Sequence, residues 1–545
     1  MTRLVVVAPL VLLACEGTLL GGWTGAEATA PERPGAPVPT SPTMPVVVPP
    51  GHPEPMMPRG RCDGVTPRAT TRRAVRLLEK GDLVAVLRAA GVTNPTLGDL
   101  FASRPERVAL AGPYETWQAD DASALLERTE AFASSLVTRL VADVPACAPV
   151  ATQPVVPAPC LDAAVDRLSR ALFRRPPTAE VSARYRAAIV DEARLRASAV
   201  EGLRFGFELA LQSPAFLYRS ELGTPSTPGE VALDAFELAD ALALGLTGEP
   251  PDATLRELAE SGALRTPEVL RAQGRRLVDT PAGRERVWTF YERWLHLKKP
   301  ASLVKDATAH PQFSTATAMA AHDETRAFVL ASLFGPDAPG LRHLLAGRAG
   351  DRTGVLTQRA FLASQAGPVD TRPLHVADVV LKSVVCFAVP PPPAGAVMTP
   401  FTPDPARSPR QNFEARTGSG SCAGCHTLMN GTGFAFDGYD ATGLPRARHG
   451  GFPIDTSGRL VVPSGELQFR DASELVTRLA ETSEAQACHT AWLYRSVRGV
   501  DETDAESCEL EAISRTLAAP RGNPLDVLVA LYASTSFTTR LEGTP

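Results

Sequence analysis

The sequence predicts a mostly α protein, with a multi-domain helical body and one small β-hairpin near the C-terminal third. Its 545 residues exceed what one hydrophobic core normally serves, so two to four domains are expected. Apolar residues recur at helical spacing along most of the chain, whereas alternating patterns are few. The composition is that of a globular protein, since 44% of the residues are hydrophobic and 21% are charged.

The N-terminus has the pattern of an export signal. MTRLVVVAPLVLLAC combines a basic start, a short apolar stretch and small residues before Cys15. Its end, LLAC, resembles the bacterial lipoprotein cleavage box, which implies that residues 1–14 are removed as a signal peptide and that Cys15 is lipidated. An ordinary secretory signal that is cut elsewhere is the alternative. Eleven prolines between Pro31 and Pro58 predict an extended Pro-rich tether over residues 15–60.

Composition and hydropathy limit the classes of partner that the mature protein can have. No later apolar run reaches the roughly 18–20 residues that a bilayer crossing requires. We therefore expect the protein to contact the membrane through its lipid anchor and to reside in the cell envelope, with the outer membrane favoured. The net charge is −5 and no basic block is present, which disfavours nucleic-acid binding. The chain has only five lysines against fifty arginines, which we interpret as a coding bias.

Helical patterns run through the body from residue 62 onward. CLDAAVDRLSRALFRRP, which starts at Cys160, places its apolar side chains on one helix face, and two prolines end it so that Thr178 can cap the next helix. Further helical segments are expected at 202–222 with a break near Pro214, and at 236–246, 267–280 and 284–297. PIDTSGRLVVPSG, 453–465, predicts the hairpin.

Common catalytic motifs are absent from the sequence. We find no phosphate-cradling glycine loop, no G-x-S-x-G and no H-E-x-x-H. His322-Asp323-Glu324 lies in a helical run without the ligand spacing of a metalloprotease, so a solvated helix face is expected there.

The most informative stretch is GSGSCAGCHTLMNGTG, residues 418–433, which contains a C-x-x-C-H motif. In such a motif two thiols one helical turn apart add to the vinyl groups of haem, and the histidine that follows ligates the iron. We therefore expect one haem c, attached through Cys422 and Cys425, with His426 as the proximal iron ligand. A redox or structural disulfide is an alternative, and so is a zinc knuckle, which requires ligands that the nearby sequence does not supply.

Residues near the motif are candidates for a haem pocket. Phe434, Phe436 and Tyr439 are expected against the porphyrin, and Arg446 and Arg448 beside its propionates. Ordinary core or surface positions are the alternative for each of them.

The second axial ligand of the iron has three candidates, Met398, His449 and His489. Met429 is too close to His426 to reach the opposite face of the haem. A methionine ligand raises the reduction potential, a second histidine lowers it, and an open position admits small ligands.

The chain contains nine cysteines. Six remain when Cys15, Cys422 and Cys425 are set aside, which fits three disulfides in an oxidising compartment. These candidates are Cys62, Cys147, Cys160, Cys386, Cys488 and Cys508. Two pairs look local, Cys147 with Cys160 and Cys488 with Cys508, which leaves Cys62 with Cys386 by elimination. Free buried thiols are the alternative.

The segment SCAGCHTLMNGTGFAFDGYDATGLPR, 421–446, resembles the cytochrome-like part of the planctomycete-type cytochrome c-associated proteins. These are large exported bacterial proteins that are built from domains of unknown function. ALFRRPPTAEVSARY, 171–185, is similar to the family's short domain with an F-R-R-P signature. DASELVTRLAETSEAQACHTAWLYRSVRG, 471–499, is similar to its C-terminal helical domain. This chain departs from the family where Asn430-Gly431 stands in place of the usual Asp-Pro.

The resemblance implies helical domains and a c-type haem, with no settled substrate. Combined with the breaks in composition, it gives an expected domain organisation. In chain order this is a lipoprotein signal peptide 1–14, a Pro-rich tether 15–60, an N-terminal helical domain 61–157, a short helical domain 158–225, a main helical domain 226–345, a cytochrome c-like C-x-x-C-H domain with a Pro-rich lead-in 346–465, and a C-terminal helical domain 466–545.

We expect an envelope lipoprotein with one c-type haem that acts in electron transfer or redox sensing and that meets a redox or surface protein partner. One alternative is a non-enzymatic surface scaffold or polymer-binding protein in which the cysteine motif is structural. Another is a haem-dependent oxidoreductase with an open distal site, so the sequence leaves open whether the protein is an enzyme.

Overall fold

The computed structural model describes residues 62, 68–93, 97, 119–390, 402–419 and 422–543. Over these residues the protein is mostly α with small antiparallel strand pairs, which confirms the predicted fold class. The predicted signal peptide, Cys15 and the tether lie outside the described residues. None of the helices in the described ranges combines the length and the apolarity that a bilayer crossing requires.

The first six helices pack around a core of their own. They are α1 Lys80–Ala90, α2 Ala119–Asp143, α3 Ala158–Leu168, α4 Ala179–Arg196, α5 Ala199–Leu211 and α6 Pro214–Leu217. Thr178 caps α4 as the sequence predicts, since its hydroxyl accepts a hydrogen bond from the Val181 amide at 3.2 Å. α4 and α5 approach closely because a Cβ at Gly206 would lie 2.5 Å from Ile189 Cγ1.

The remaining helices share a second, larger core. They are α7 Ala235–Thr247, α8 Ala253–Glu260, α9 Pro267–Val278, α10 Pro281–Trp294, α11 Thr315–Leu333, α12 Gly340–Ala346, α13 Arg359–Gln365, α14 Pro373–Val384, α15 Pro409–Thr417, α16 Ala423–Phe434, α17 Ala472–Leu479, α18 Ser483–Arg498, α19 Ser507–Ser514, α20 Pro524–Tyr532 and α21 Thr535–Thr538. Leu242, Phe361, Phe436, Leu475 and Leu531 all belong to this core, so it is continuous from α7 to α20.

The helical segments expected from the sequence form with small shifts at their ends, except that the end of the segment expected at 202–222 is a β-strand, Tyr218–Glu221. On α11, His322 contacts Glu292 at 2.8 Å while Asp323 and Glu324 are exposed, which confirms the expected solvated face. The hairpin predicted at 453–465 forms at 458–469 instead. Its two strands are joined by a tight turn at Pro463-Ser464.

The strands pair antiparallel in small sets. β1 Ala74–Leu77 pairs with β2 Tyr218–Glu221, and β4 Glu230–Ala232 lies between β3 Thr224–Thr227 and β11 Thr539–Leu541. The other pairs are β5 Arg348–Ala349 with β6 Arg352–Thr353, β7 Arg448–His449 with β8 Phe452–Pro453, and β9 Gly458–Val462 with β10 Gly465–Phe469. β11 thereby attaches the C-terminal end to the middle of the chain.

Three disulfides join the six candidate cysteines. Cys147 pairs with Cys160, as predicted. The prediction was wrong for the other four, because Cys386 pairs with Cys488, and Cys62 pairs with Cys508 over a sequence separation of 446. Two packing contacts explain the difference. α18 packs against α14, which brings Cys488 to the end of that helix, and Cys62 lies beside Cys508 in the first turn of α19.

Candidate functional site

The C-x-x-C-H motif stands at the start of α16. Cys422 immediately precedes the helix, and Cys425 and His426 lie in its first turn. Both cysteine side chains are half-buried and form no disulfide, although the six other cysteines of the described ranges are paired. Burial raises the pKa of the Cys425 thiol, and the nearby Cys422 raises it further. Cys425 is therefore a protonated thiol at neutral pH.

A chain of hydrogen bonds fixes the ring of His426, whose side chain is buried. The Thr417 hydroxyl donates its single hydrogen to the Phe413 carbonyl at 2.9 Å, so it accepts from Asn430 Nδ2 at 3.1 Å. Asn430 Oδ1 then faces His426 Nδ1 at 3.2 Å. Because an amide oxygen only accepts, Nδ1 carries the ring proton and Nε2 keeps its lone pair.

The His426 imidazole is neutral at physiological pH. Burial lowers its pKa, the hydrogen bond to Asn430 opposes that change, and the charge of Arg416 lowers the pKa further. Nε2 makes no hydrogen bond to any described residue. The edge of the Phe413 ring packs against the imidazole with centroids 5.6 Å apart. The ring thus presents one unprotonated nitrogen in a fixed orientation.

Two glycines allow α16 to sit deeply between its neighbours. A Cβ at Gly433 would lie 2.2 Å from the Pro373 carbonyl oxygen at the start of α14. A Cβ at Gly431 would lie 2.8 Å from the Arg459 carbonyl oxygen on β9. The motif helix is therefore held against α14 on one side and against the hairpin on the other.

The aromatic residues that the sequence places against a porphyrin contact protein in the structure. Phe434 packs against Phe413, with ring centroids 5.7 Å apart. Phe436 lies in the large core, 6.4 Å from the ring of Phe361. The guanidinium of Arg352 covers Tyr439 at 5.1 Å from the ring centroid. Each of these three rings therefore packs against another protein side chain.

Arg446 and His449 belong to an ionic cluster with Asp370 and Asp437. Arg446 donates to Asp370 Oδ1 at 2.9 Å and to Asp437 Oδ1 at 2.5 Å. His449 Nε2 lies 2.5 Å from Asp370 Oδ2, and Nδ1 lies 2.9 Å from Asp437 Oδ2. Arg446 is therefore engaged by carboxylates rather than free for a propionate. Arg448 is exposed and donates from Nε to the Gly451 carbonyl at 3.1 Å.

The charges of this cluster stabilise one another. Burial alone would lower the pKa of His449, but the hydrogen bonds and charges of Asp370 and Asp437 raise it to about 9. Burial alone would raise the pKa of both carboxyl groups, yet His449 and Arg446 hold both values below the usual range. The cluster contains two positive and two negative charges at neutral pH. It ties the segment after the motif helix to the segment before α14.

The candidate sixth ligands lie in different surroundings. Both ring nitrogens of His449 face carboxylates, as described above. His489 is buried in the large core, where its Nε2 lies 3.0 Å from the Tyr291 hydroxyl and its ring meets Trp294 edge-on at 5.1 Å. Met398 lies outside the described residues. In the described part of the chain, no three His, Cys, Asp or Glu side chains are arranged as a metal site.

Sequence reasoning missed the hydrogen-bond partners of the motif histidine and the carboxylates of the ionic cluster. The spacing of His426 and Asn430 by one helical turn was an available signal, since side chains four residues apart meet on a helix. Asp370 offered no such signal, because 79 residues separate it from His449.

Three family models match successive parts of the chain. PSD5, a protein of unknown function (DUF1595), matches residues 160–221, and PSD4, a protein of unknown function (DUF1592), matches 233–350. PSCyt3, a protein of unknown function (DUF1588), matches 352–449. The chain carries domains of the planctomycete-type family. The PSCyt3 match spans the C-x-x-C-H motif, and its name associates this domain with cytochromes. No curated protein and no solved structure matches the chain.

Proposed function

We propose that this chain is an exported envelope protein that carries one c-type haem on Cys422, Cys425 and His426 and acts in electron transfer or redox sensing. The proposal rests on one combination of features. Two unpaired thiols stand one helical turn apart, next to a neutral histidine whose Nε2 makes no protein hydrogen bond. A C-x-x-C-H site uses these groups for two thioether bonds and one iron ligand.

The residues around the motif fit such a group. A histidine that ligates a metal commonly donates its other ring N–H to a fixed acceptor, which sets the tautomer and the ring orientation. Asn430 is placed as that acceptor, and Thr417 holds the Asn430 amide in the required orientation. When bound, haem c supplies an iron that gains or loses one electron.

The rest of the site restricts movement of the motif helix. The close approach at Gly433 fixes α16 against α14, so the two thiols and the imidazole keep their relative positions. The ionic cluster holds the segment after α16 by two arginine and two histidine contacts. A rigid surround suits electron transfer, because a fixed ligand and a fixed environment keep the reduction potential constant.

The proposed location is the envelope, with the protein anchored by lipid on Cys15 and held off the membrane by residues 15–60. Three disulfides support export, because such bonds persist in oxidising compartments. The lipoprotein box of the sequence supports the anchor, and the outer membrane is its proposed site.

The surroundings of His449 and His489 disfavour both as the sixth ligand, so the proposal keeps Met398 or an open position. His449 and His489 both have a ring nitrogen engaged by another side chain, and the His489 side chain is buried in the large core. Ligation by either would require that contact to break. A low-spin ferric spectrum that changes to high-spin in Met398→Ala would identify the methionine, whereas a high-spin wild-type spectrum would identify an open site.

The covalent haem is tested on protein exported from a host with c-type haem maturation. We expect a denaturing gel stained for haem, together with a pyridine haemochrome spectrum, to show haem that survives denaturation in the wild type. Cys425→Ser should lose or greatly reduce it. The matched control is Cys147→Ser/Cys160→Ser, which removes two cysteines far from the motif and should retain the haem. Folded, exported wild type without covalent haem would refute the proposal and leave the scaffold alternative.

A further inference from the structure

Four of the five lysines of the chain, Lys298, Lys299, Lys305 and Lys382, lie within residues 298–382, and the fifth is Lys80 on α1. In the structure Lys298, Lys305 and Lys382 lie on one surface, together with His296 and His375. We call these five residues the lysine face. Lys298, Lys382 and His296 are exposed, and Lys305 and His375 are half-buried. A coding bias toward arginine does not explain why three of the five lysines share one surface.

The end of α10 fixes one side of the lysine face. His296 adopts a φ of 50°, in the left-handed region, so that the chain turns sharply after the helix. The buried Gln365 donates from Nε2 to the Leu295 carbonyl at 2.9 Å and also to the His296 carbonyl. The backbone N–H of Lys298 donates to Ser364 Oγ at 3.0 Å. These bonds anchor the backbone and leave the Lys298 side chain in solvent.

Lys305 and Lys382 continue the face. Lys305 Nζ donates to the carbonyls of Ala363 and Gly367, each at 2.9 Å, at the end of α13. Lys382 lies on α14, and its carbonyl accepts from Trp492 Nε1 at 3.3 Å while its side chain is exposed. Each cation is therefore presented by a backbone that the core holds in place.

The positive charges of the lysine face repel one another. Burial lowers the pKa of Lys305 to about 8, and the charge of Lys298 lowers it further. Burial lowers the pKa of His375 to about 4, with added repulsion from Arg372, Lys298 and His296. Burial also lowers the pKa of His296, and the charge of Lys382 lowers it further. Geometry agrees with this proximity, because Trp294 Nε1 at the end of α10 donates to the Ser383 carbonyl at 2.9 Å, which places Lys382 near His296 and Lys298. Since both histidines are neutral at physiological pH, the three lysines supply the positive charge of this surface.

Nearby carboxylates do not neutralise the three lysines. Asp378 lies near Lys382, and Asp440 lies near Lys305, but neither forms an ion pair with them. Lys298, Lys305 and Lys382 form no ion pair with any residue in the described ranges. Exposed arginines elsewhere are commonly paired, as in the four-residue pairs of α2 and α4. The lysine face therefore carries excess positive charge.

Lysine gives this surface different binding properties from arginine. Arginine forms bidentate bonds with carboxylates and phosphates, whereas lysine is a strongly hydrated point charge on a flexible stem. A lysine surface attracts anions over long range without locking them in place. Such a surface raises the rate of encounter more than it slows dissociation, which suits the small, short-lived complexes of redox proteins.

The lysine face also lies beside the motif helix. α14 carries Lys382 and His375 on its exposed side, and its first residue, Pro373, touches Gly433 of α16. α14 and α16 form one of the most extensive helix contacts of the large core. A partner that docks on the lysine face is therefore separated by α14 from the helix that carries the C-x-x-C-H motif.

We propose that the lysine face docks a soluble electron-transfer protein with an acidic surface, which exchanges one electron with the haem c proposed above. This inference rests on that proposed function. In the exchange the partner loses one electron as ferric iron becomes ferrous, or gains one in the reverse direction. No bond is made or broken and no proton is transferred.

The test compares two double variants of equal charge change. Lys298→Gln/Lys382→Gln removes two cations whose side chains make no contact needed for folding. Arg194→Gln/Arg271→Gln removes two exposed arginines on α4 and α9 whose nearest carboxylates are each 3.9 Å away. The probe is an acidic plant-type ferredoxin, which is a strong enough reductant to reduce c-type haem. Stopped-flow absorbance measures the second-order rate constant of haem reduction at several salt concentrations.

We expect the wild-type rate constant to fall steeply as salt rises from about 20 to about 200 mM, because screening weakens electrostatic attraction. The lysine variant should react about three- to tenfold more slowly at low salt and show a flatter salt dependence. The arginine control should stay close to the wild type. The rate constant of haem reduction by uncharged hydroquinone should be equal in all three proteins. An equal loss in both double variants, or none in the lysine variant, would overturn the proposal.

A second measurement keeps docking separate from the haem. Binding of each protein to immobilised ferredoxin needs no haem, so it reports on the lysine face even if the haemochrome spectrum is absent. Salt-sensitive binding that the lysine variant loses supports the acidic protein partner.

The proteins are also mixed with vesicles of one part phosphatidylglycerol to three parts phosphatidylcholine. Vesicle binding that depends on the lysines, with ferredoxin binding unchanged, would assign the face to a membrane surface and overturn the proposal.

Discussion

Replacing His449 with glutamine should destabilise the protein strongly in mild acid and hardly at all in alkali. The wild-type imidazolium lies between Asp370 and Asp437, which raise its pKa from 6.5 to about 9. A group whose folded pKa is raised contributes stability that is fully present below the unfolded pKa and lost as pH rises through the folded pKa. The window therefore runs from about pH 6.5 to about pH 9.

The magnitude follows from the same two values. Linkage between the unfolded pKa of 6.5 and the folded value of about 9 gives about 3 kcal/mol near pH 6 and a few tenths of a kcal/mol near pH 9.5. The His449 side chain is 17% exposed, so solvent screening reduces this contribution only modestly. Glutamine keeps the approximate size of the side chain and removes the titrating charge.

Urea unfolding of His449→Gln and the wild type, followed by tryptophan fluorescence across this pH range, measures the difference. Trp288 and Trp294 lie in the large core and report on its loss. The control is His343→Gln, because burial lowers the pKa of His343 and reverses the expected slope. The cost of that substitution should grow as pH rises through about 6.5 and stay level above it. A cost for His449→Gln that is the same at both ends of the range would refute the ionic account of the cluster.

Two further predictions concern the motif helix. Gly433→Ala should lower the free energy of unfolding by about 1–3 kcal/mol, because the added Cβ meets the Pro373 carbonyl. Gly424→Ala in the same helix places its Cβ in open space, so it should be neutral or stabilising by up to about 1 kcal/mol. Chemical denaturation of both variants checks this difference. Asn430→Leu removes the acceptor of the His426 N–H, so the imidazole becomes a weaker donor to iron and the reduction potential should rise. Potentiometric titration of the haem spectrum measures that change, and an unchanged or lower potential would contradict the assigned hydrogen bond.

Local structure could be predicted from the sequence because its causes are local. The α4 cap at Thr178 and the apolar faces of α3 and α10 follow from spacing along a few turns. The disulfide between Cys147 and Cys160 spans 13 residues and was predictable for the same reason. The fold class follows from the repetition of such patterns along the chain.

Contacts between distant segments could not be predicted in this way. Cys488 pairs with Cys386 because α18 packs on α14, and no periodicity encodes which two helices meet. The same limit applies to the ionic cluster, in which Asp370 contacts Arg446 and His449, 76 and 79 residues further along the chain. At the site, the motif residues were predictable from their chemistry, whereas the Thr417–Asn430 chain and the lysine face required the fold.

The disulfide between Cys62 and Cys508 determines how the protein takes up mechanical force. Residue 62 directly follows the Pro-rich stretch, so tension along that stretch enters the described structure at this cysteine. The covalent bond passes the tension to α19, which belongs to the large core, and bypasses the separate core of α1–α6. Force applied to the chain ahead of Cys62 therefore loads the same core that contains the motif helix. Reduction of this one bond would instead direct the load through the backbone contacts of Thr71 with Leu541 and of β1 with β2.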